Sequence, residues 1–306
     1  MASRPQAATR FLSGRARLLV CTAVGVGVLA AVPAGGLAAA ASHKPKGPVD
    51  VLYAGSLVNL MELAIGPAYD GATGYTFSGF AAGSSALVSD IKGGTQQADV
   101  FISASPKVNA DLRGRANGNR VSWYAAFATS PLVIGYNANS RFAADLRSKP
   151  WYQVITEPGF LLGRTDPATD PKGKLATEAL NRAATKYHAP ALAQMSSTTD
   201  GVFPEETLVG RLQSGQLDAG FFYASEAAAA HIPTVELKGV RLSAEYTVTV
   251  LNRAPHAKAA RAFVAFLFGA EGRSILEHGG LTLRSPPAVS GSKSVPASLR
   301  SILHVR

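Results

Sequence analysis

Cysteine is nearly missing from this chain: the 306 residues include only Cys21. A disulfide framework is therefore excluded, and burial and hydrogen bonding must hold the fold together. Histidine is scarce as well, six in all, and the six form no ligand-spaced cluster. There is no Tyr-Tyr pair, no G-x-S-x-G elbow and no Arg-Arg pair. Lysines and arginines do not gather with aromatics in a nucleic-acid-binding pattern. Beyond residue 32 no apolar run is long enough to span a bilayer.

What is present starts with a basic segment, Arg4, Arg10, Arg15 and Arg17, followed by a charge-free apolar stretch from Leu18 to about Val32. Small residues from Leu37 to Ala41 complete the layout of a secretory signal peptide over residues 1–41. Cleavage after Ala39, Ala40 or Ala41 fits equally, and an uncleaved membrane anchor is the alternative. With no Arg-Arg pair, the general export route is favoured over the twin-arginine one. Cys21 lies inside the apolar core behind Val20, a poor setting for a lipid anchor. Residues 42–306 are long enough for one large α/β unit or two lobes. Without the four leading arginines, 26 basic residues face 20 acidic ones. That mild excess would help steer a small anion, and it fits a generic basic protein equally well.

After a polar leader, His43 to Pro48, expected to be mobile, strands and helices alternate. Val49 to Ala54 reads as a strand running into a helix that starts near Val58. Ala98 to Ala104 reads as a buried parallel strand, and Pro131 to Tyr136 and Tyr246 to Leu251 as further strands. Gly173 to Lys186, Ala257 to Phe268 and Glu271 to His278 have helical spacing. Such alternation predicts parallel sheets with ligands at the strand C-termini.

Two strand-to-helix turns carry the clearest chemistry. Ala54-Gly55-Ser56-Leu57 places Ser56 at an expected helix N-cap, and Ala82-Gly83-Ser84-Ser85 repeats the arrangement with Ser84. Small residues let a ligand approach the backbone, and helix N-termini attract anions. Two such turns suggest a site that holds an oxyanion through neutral donors. Ordinary capping serines would give either turn by itself.

With these turns, several segments in this order resemble the extracytoplasmic molybdate/tungstate-binding proteins of ABC importers, especially the tungstate-binding branch. They are Ala98-Asp99-Val100-Phe101-Ile102-Ser103-Ala104, Asp166-Pro167-Ala168-Thr169-Asp170-Pro171-Lys172-Gly173, Ser214-Gly215-Gln216-Leu217-Asp218 with Phe222-Tyr223, and Ala262 to Leu267 with Glu271-Gly272. The resemblance covers nearly all of the chain after the leader. It implies an α/β, two-lobed periplasmic-binding-protein architecture of type 2, each lobe a mostly parallel mixed sheet flanked by helices, with two crossing strands as hinge. Lobe 1 is expected at 42–133 and 246–306, and lobe 2 at 134–245. The implied ligand is tungstate or molybdate with no further cofactor, and the implied partner is a membrane permease. The expected product is an exported, non-enzymatic monomer.

Carried over by position, the resemblance assigns Ser56, Ser84 and Tyr223 as hydrogen-bonding ligands and Asp170 and Glu205 as carboxylates that reach the metal. An anionic side chain repels a tetrahedral dianion in a low-dielectric cleft. Hexavalent tungsten or molybdenum can expand its coordination and accept those oxygens, whereas sulfur in sulfate cannot. The stretch from Asp170 to Glu205 is shorter than in tungstate-binding members, so Glu206 rivals Glu205, and Asp166 rivals Asp170. Asp170 also suits a turn and helix start, and Glu205 and Glu206 a first helical turn. Tyr223 equally suits sheet packing. Competing readings are a receptor for sulfate, phosphate, a small organic acid or ferric ion, and a secreted serine hydrolase using Ser56 or Ser84. The hydrolase would need a histidine base, and His188, His231, His256 and His278 lack supporting context.

Overall fold

The computed structural model describes residues 45–306, and the export segment expected over residues 1–41 lies outside them. Among the described residues no helix is long and apolar enough to cross a membrane. The leader is tied down where it is described: Lys46 N donates to Gly74 O at 2.9 Å and Lys46 Nζ to Thr73 O at 2.6 Å. The expectation of a mobile leader is corrected for that part, because these bonds seat it beside the first strand.

The strands among the described residues are β1 Pro48–Ala54, β2 Thr76–Ala82, β3 Val100–Ser103, β4 Tyr124–Tyr136, β5 Leu162–Thr165, β6 Val202–Phe203, β7 Ala219–Tyr223, β8 Thr234–Glu236, β9 Ser243–Val250 and β10 Thr282–Ser290. Their order is β2-β1-β3-β9-β4-β7-β5-β6, with β10 and β8 also paired to β4. The β1–β2, β1–β3, β5–β6 and β5–β7 pairs are parallel. Every antiparallel pair involves β4 or β9.

Strand β4 joins two sheet regions. Up to Pro131 it pairs with β9, Ser130 facing Ala244 and Pro131 facing Ser243. From Leu132 onward it pairs with β7, Leu132 facing Tyr223. Pro131 has no N–H to give a ladder, so the change of partners falls where the backbone can best tolerate it. The result is a two-lobed α/β architecture. The sequence pattern recovered only the second half of β4, because the small residues of Tyr124 to Ser130 carry a weaker strand signal.

Alternation along β1 places Val51 and Tyr53 in the same core as Phe263, Val264 and Leu267 of helix Ala257–Phe268. Leu52, between them, packs with Leu87, Val88, Ile91 and Phe101. Helix Pro171–Tyr187 buries Ala176, Ala179, Leu180 and Ala183, the stripe expected at 3.6 residues per turn. It begins with Asp170 as N-cap and Pro171 at its first position, and it ends on His188 at φ 52°. Gly173 is required there: a Cβ would lie 2.4 Å from Thr165 O, so the helix N-terminus and the end of β5 are in close contact.

Candidate functional site

The two serine turns form at the C-terminal ends of β1 and β2, which are neighbours in register from Pro48 with Thr76 to Ala54 with Ala82. Ser56 is not an N-cap. The chain turns helical two residues early, with Ala54 in the cap position and a 3-10 turn over Gly55–Leu57. Ser56 Oγ instead pairs with Tyr246 Oη at 2.9 Å, across to β9. Ser84 is the first residue of helix Ser84–Gly93, capped by Gly83. Its Oγ accepts from Ala104 N at 3.1 Å, so its own proton remains available to another acceptor. The helix N-terminus is not an open anion site, which corrects the sequence expectation. Ser85 N and Ala86 N both donate to Thr169 O, at 3.0 and 3.1 Å.

That carbonyl precedes Asp170, so the Gly83 turn and the start of helix Pro171–Tyr187 are locked together. A Cβ on Gly83 would lie 2.5 Å from Thr169 O and 3.1 Å from Asp170 Cβ. The Gly55 turn meets the other carboxylate: a Cβ there would lie 1.7 Å from Glu205 Oε2. Each small-residue turn is thus pressed against one of the two predicted carboxylates, and glycine is what permits the approach.

Asp170 Oδ1 accepts from Thr165 Oγ1 and from Lys172 N, both at 2.8 Å. Glu205 opens a 3-10 turn, Glu205–Thr207, after Pro204. Its Oε1 accepts from Lys172 Nζ at 2.8 Å. The same ammonium donates to Glu226 Oε1 and Oε2, at 2.8 and 2.7 Å. Glu226 Oε2 also accepts from Tyr223 N at 3.2 Å. The Tyr223 and Tyr246 rings meet edge to face with centroids 6.0 Å apart. Ser56, Ser84, Asp170, Glu205 and Tyr223 are all buried, and contacts link them in one place. Among the described residues, Glu205 Oε2 and Tyr223 Oη are buried without a hydrogen-bond partner. A buried polar atom without a partner costs about 1–3 kcal/mol, and such atoms in a cleft point to a ligand.

The rivals separate by burial. Asp166 is partly exposed and serves its own turn, with Oδ1 accepting from Ala168 N at 2.8 Å. Glu206 is exposed. Lys172 and Glu226 were absent from the sequence-based site. Lysine is almost never fully buried unless paired, so nothing in the pattern nominated it. One signal was available, since a lysine in the first turn of a helix opposes the helix dipole.

The electrostatics follow from three buried carboxyls around one ammonium. Burial would lower Lys172, but the charges of Glu205, Glu226 and Asp170 outweigh it and hold the ammonium above its usual range. Burial, reinforced by Glu226 and Asp170 and opposed by Lys172, pushes Glu205 up to about 8. Burial also raises Asp170 and Glu226 against the pull of Lys172. Tyr223 is raised well above its usual value by burial, so its Oη stays a donor.

A second cluster joins Asp50, Asp99 and His256 at the N-terminal ends of β1 and β3. Buried Asp99 accepts from Asp50 N at 2.9 Å and from His256 N at 2.6 Å, and its Oδ2 lies 3.0 Å from His256 Nδ1. Those bonds anchor the start of helix Ala257–Phe268 and occupy the carboxylate. His256 does not approach Ser56 or Ser84, whose described partners are Tyr246 and Ala104.

Comparison with known proteins places this geometry in context. A putative ABC transporter molybdenum-binding protein of Haloferax volcanii is 32% identical over 67% of this chain and 66% of its own length. The molybdate/tungstate-binding protein of Thermococcus kodakarensis is 25% identical over 61% of this chain and 67% of its own. Among solved structures, the periplasmic molybdate-binding protein of Azotobacter vinelandii superposes with a TM-score of 0.59 at 20% identity, covering 77% of this chain and 99% of that one. A profile of the bacterial extracellular solute-binding proteins matches residues 49–282, and the chain belongs to that family.

Proposed function

We propose that the protein is an exported, non-enzymatic receptor that traps tungstate or molybdate between its lobes and hands it to the membrane permease of an ABC importer. The observation that carries this reading is the pair of buried carboxylates, Asp170 and Glu205, each packed against a glycine-serine turn of the other lobe. A site built only for a tetrahedral dianion would exclude them, because they add repulsion in a medium that screens little. Hexavalent tungsten or molybdenum turns the same oxygens into ligands. Ser56, Ser84 and Tyr223 donate hydrogen bonds to the oxo groups, while Asp170 and Glu205 reach the metal. The names of the Haloferax and Thermococcus relatives support the ligand class.

Under this reading residues 1–41 direct export. Lobe 1 comprises 42–133 and 246–306, and lobe 2 comprises 134–245. The partner change of β4 around Pro131 supports the first boundary. The closed lobes of a monomer present the surface the permease reads.

One observation favours a second reading. Burial raises the Glu205 carboxyl to about 8, and in its protonated form the hydroxyl could donate to a simple tetrahedral oxyanion such as sulfate or phosphate. Thermal shifts of the purified protein with tungstate, molybdate, sulfate and phosphate separate the two. A ligand at a hundred times its Kd adds about 2.7 kcal/mol, a rise of several degrees for a chain of this size. The metal-oxyanion reading expects that rise with tungstate or molybdate and none with sulfate. A rise with sulfate or phosphate alone would overturn it.

A further inference from the structure

The ion cluster around Lys172 is larger than ligand binding requires. Lys172 Nζ has three protons, and its three bonds all go to Glu205 and Glu226. None is left for an oxyanion, although the side chain is fully buried at the edge of the site. The lysine therefore acts through its neighbours. It holds Glu205 by Oε1 alone, so Oε2 is left unpartnered and directed at the Gly55 turn. The bond to Asp170 Oδ1 comes from the backbone N–H at this position and belongs to the helix cap rather than to the lysine side chain. Through Glu226, which grips the ammonium with both oxygens and Tyr223 N with one of them, it is tied to the end of β7. The ammonium also lies 5.7 Å from the centre of the Tyr223 ring.

We infer that Lys172 and Glu226 are positioning residues that together fix Glu205 and the end of β7 at Tyr223 in the geometry an expanded metal-oxyanion shell needs. The inference rests on the tungstate or molybdate reading above. Stability alone is a weak explanation for a buried ion cluster, since replacing a whole cluster with well-packed apolar groups is often neutral or stabilising. Geometry is the stronger one. A free glutamate side chain samples several rotamers, whereas a carboxylate held at one oxygen offers the other in a single direction.

The test is the double variant Lys172→Met with Glu226→Gln. It removes one positive and one negative charge, so the net charge of the site is kept while the grip on Glu205 is lost. Tungstate affinity is read by calorimetry and the tungsten coordination number by X-ray absorption at the tungsten edge. The wild type is expected to bind tungstate in an expanded, more than four-coordinate shell. The double variant is expected to fold but to melt below the wild type, because Glu205 and Asp170 stay buried without their counter-charge, to lose at least about tenfold in tungstate affinity, and to return the tungsten to four-coordination. A folded double variant with wild-type affinity and an expanded shell would overturn the inference. Absence of tungstate binding, or four-coordinate tungsten, in the wild type would instead overturn the reading beneath it. Should the double variant not fold, Glu226→Gln alone decides. It keeps the Lys172–Glu205 bond and loosens the anchor behind it, so a several-fold loss of affinity supports the inference and unchanged affinity overturns it.

Discussion

At the scale of single residues, the site is a problem of charge in a dry place. Glu205 was nominated by position, and burial separates it from its neighbour Glu206. Lys172 was passed over because sequence spacing says nothing about where an ammonium ends up in three dimensions. The raised carboxyls also have a consequence for stability. Glu205 is lifted from its ordinary value of 4.5 to about 8 by burial first, then by Glu226 and Asp170. The folded, closed chain therefore holds a proton that the unfolded chain has already released between those two values. Stability at this group is fully present below pH 4.5 and is lost as pH rises toward 8. Asp170 and Glu226 are shifted in the same direction. The expected result is a ligand-free melting temperature that falls by several degrees, relative to that of Glu205→Gln, between pH 5 and pH 8. Parallel pH profiles for the two proteins would show that Glu205 is not strained by its surroundings.

At the scale of elements, the legible parts were those with strong periodicity or punctuation. Helix Ala257–Phe268 has an apolar stripe and a following glycine, and the structure places it where the pattern did. Strand β10 went unread because Pro286 and Pro287 interrupt it, and the register shifts between Leu283 and Ala288. Strand β2 is half exposed and carries few β-branched residues, so it left no clear alternation. At the start of helix Pro171–Tyr187 the cap, Asp170, is also a proposed ligand. Asp170 caps through the oxygen that accepts from Lys172 N, which means alanine would confound two effects. Asp170→Ala should lose about 1 kcal/mol of stability through the missing cap as well as any ligand bond. Asp170→Asn keeps a good cap and removes only the charge. It should melt near the wild type yet bind tungstate at least about tenfold more weakly, the loss expected for a missing charged ligand. Calorimetry beside a melting curve reads both, and a well-capped Asp170→Asn that binds as the wild type does would remove Asp170 from the ligand set.

At the scale of the whole molecule, the buried site implies that the closed form cannot be the form that loads. Ser84 and Lys172 have no exposed surface, and Tyr223 has 1%. A ligand can reach them only if the lobes part, and under the proposed boundaries β4 and β9 are the strands that connect them. The contact that must break is identifiable: Ser85 N and Ala86 N on Thr169 O, with Gly83 packed against the same carbonyl. Two backbone hydrogen bonds exchanged for water change little in free energy, so ligand contacts on both lobes can decide the balance. Gly83→Ala tests this, because its methyl group would stand 2.5 Å from a main-chain oxygen that cannot swing aside. Gly83 has φ −56° and ψ 133°, which alanine adopts without strain, so the open form should tolerate the change with a loss of no more than about 1 kcal/mol. X-ray scattering should show the wild type contracting when tungstate is added. Gly83→Ala should keep its ligand-free radius in tungstate and bind at least about tenfold more weakly, since the serines of one lobe and the carboxylates of the other can no longer hold the same ion. If Gly83→Ala contracts as the wild type does, the Thr169 carbonyl is not the latch, and closure must be governed by the site itself.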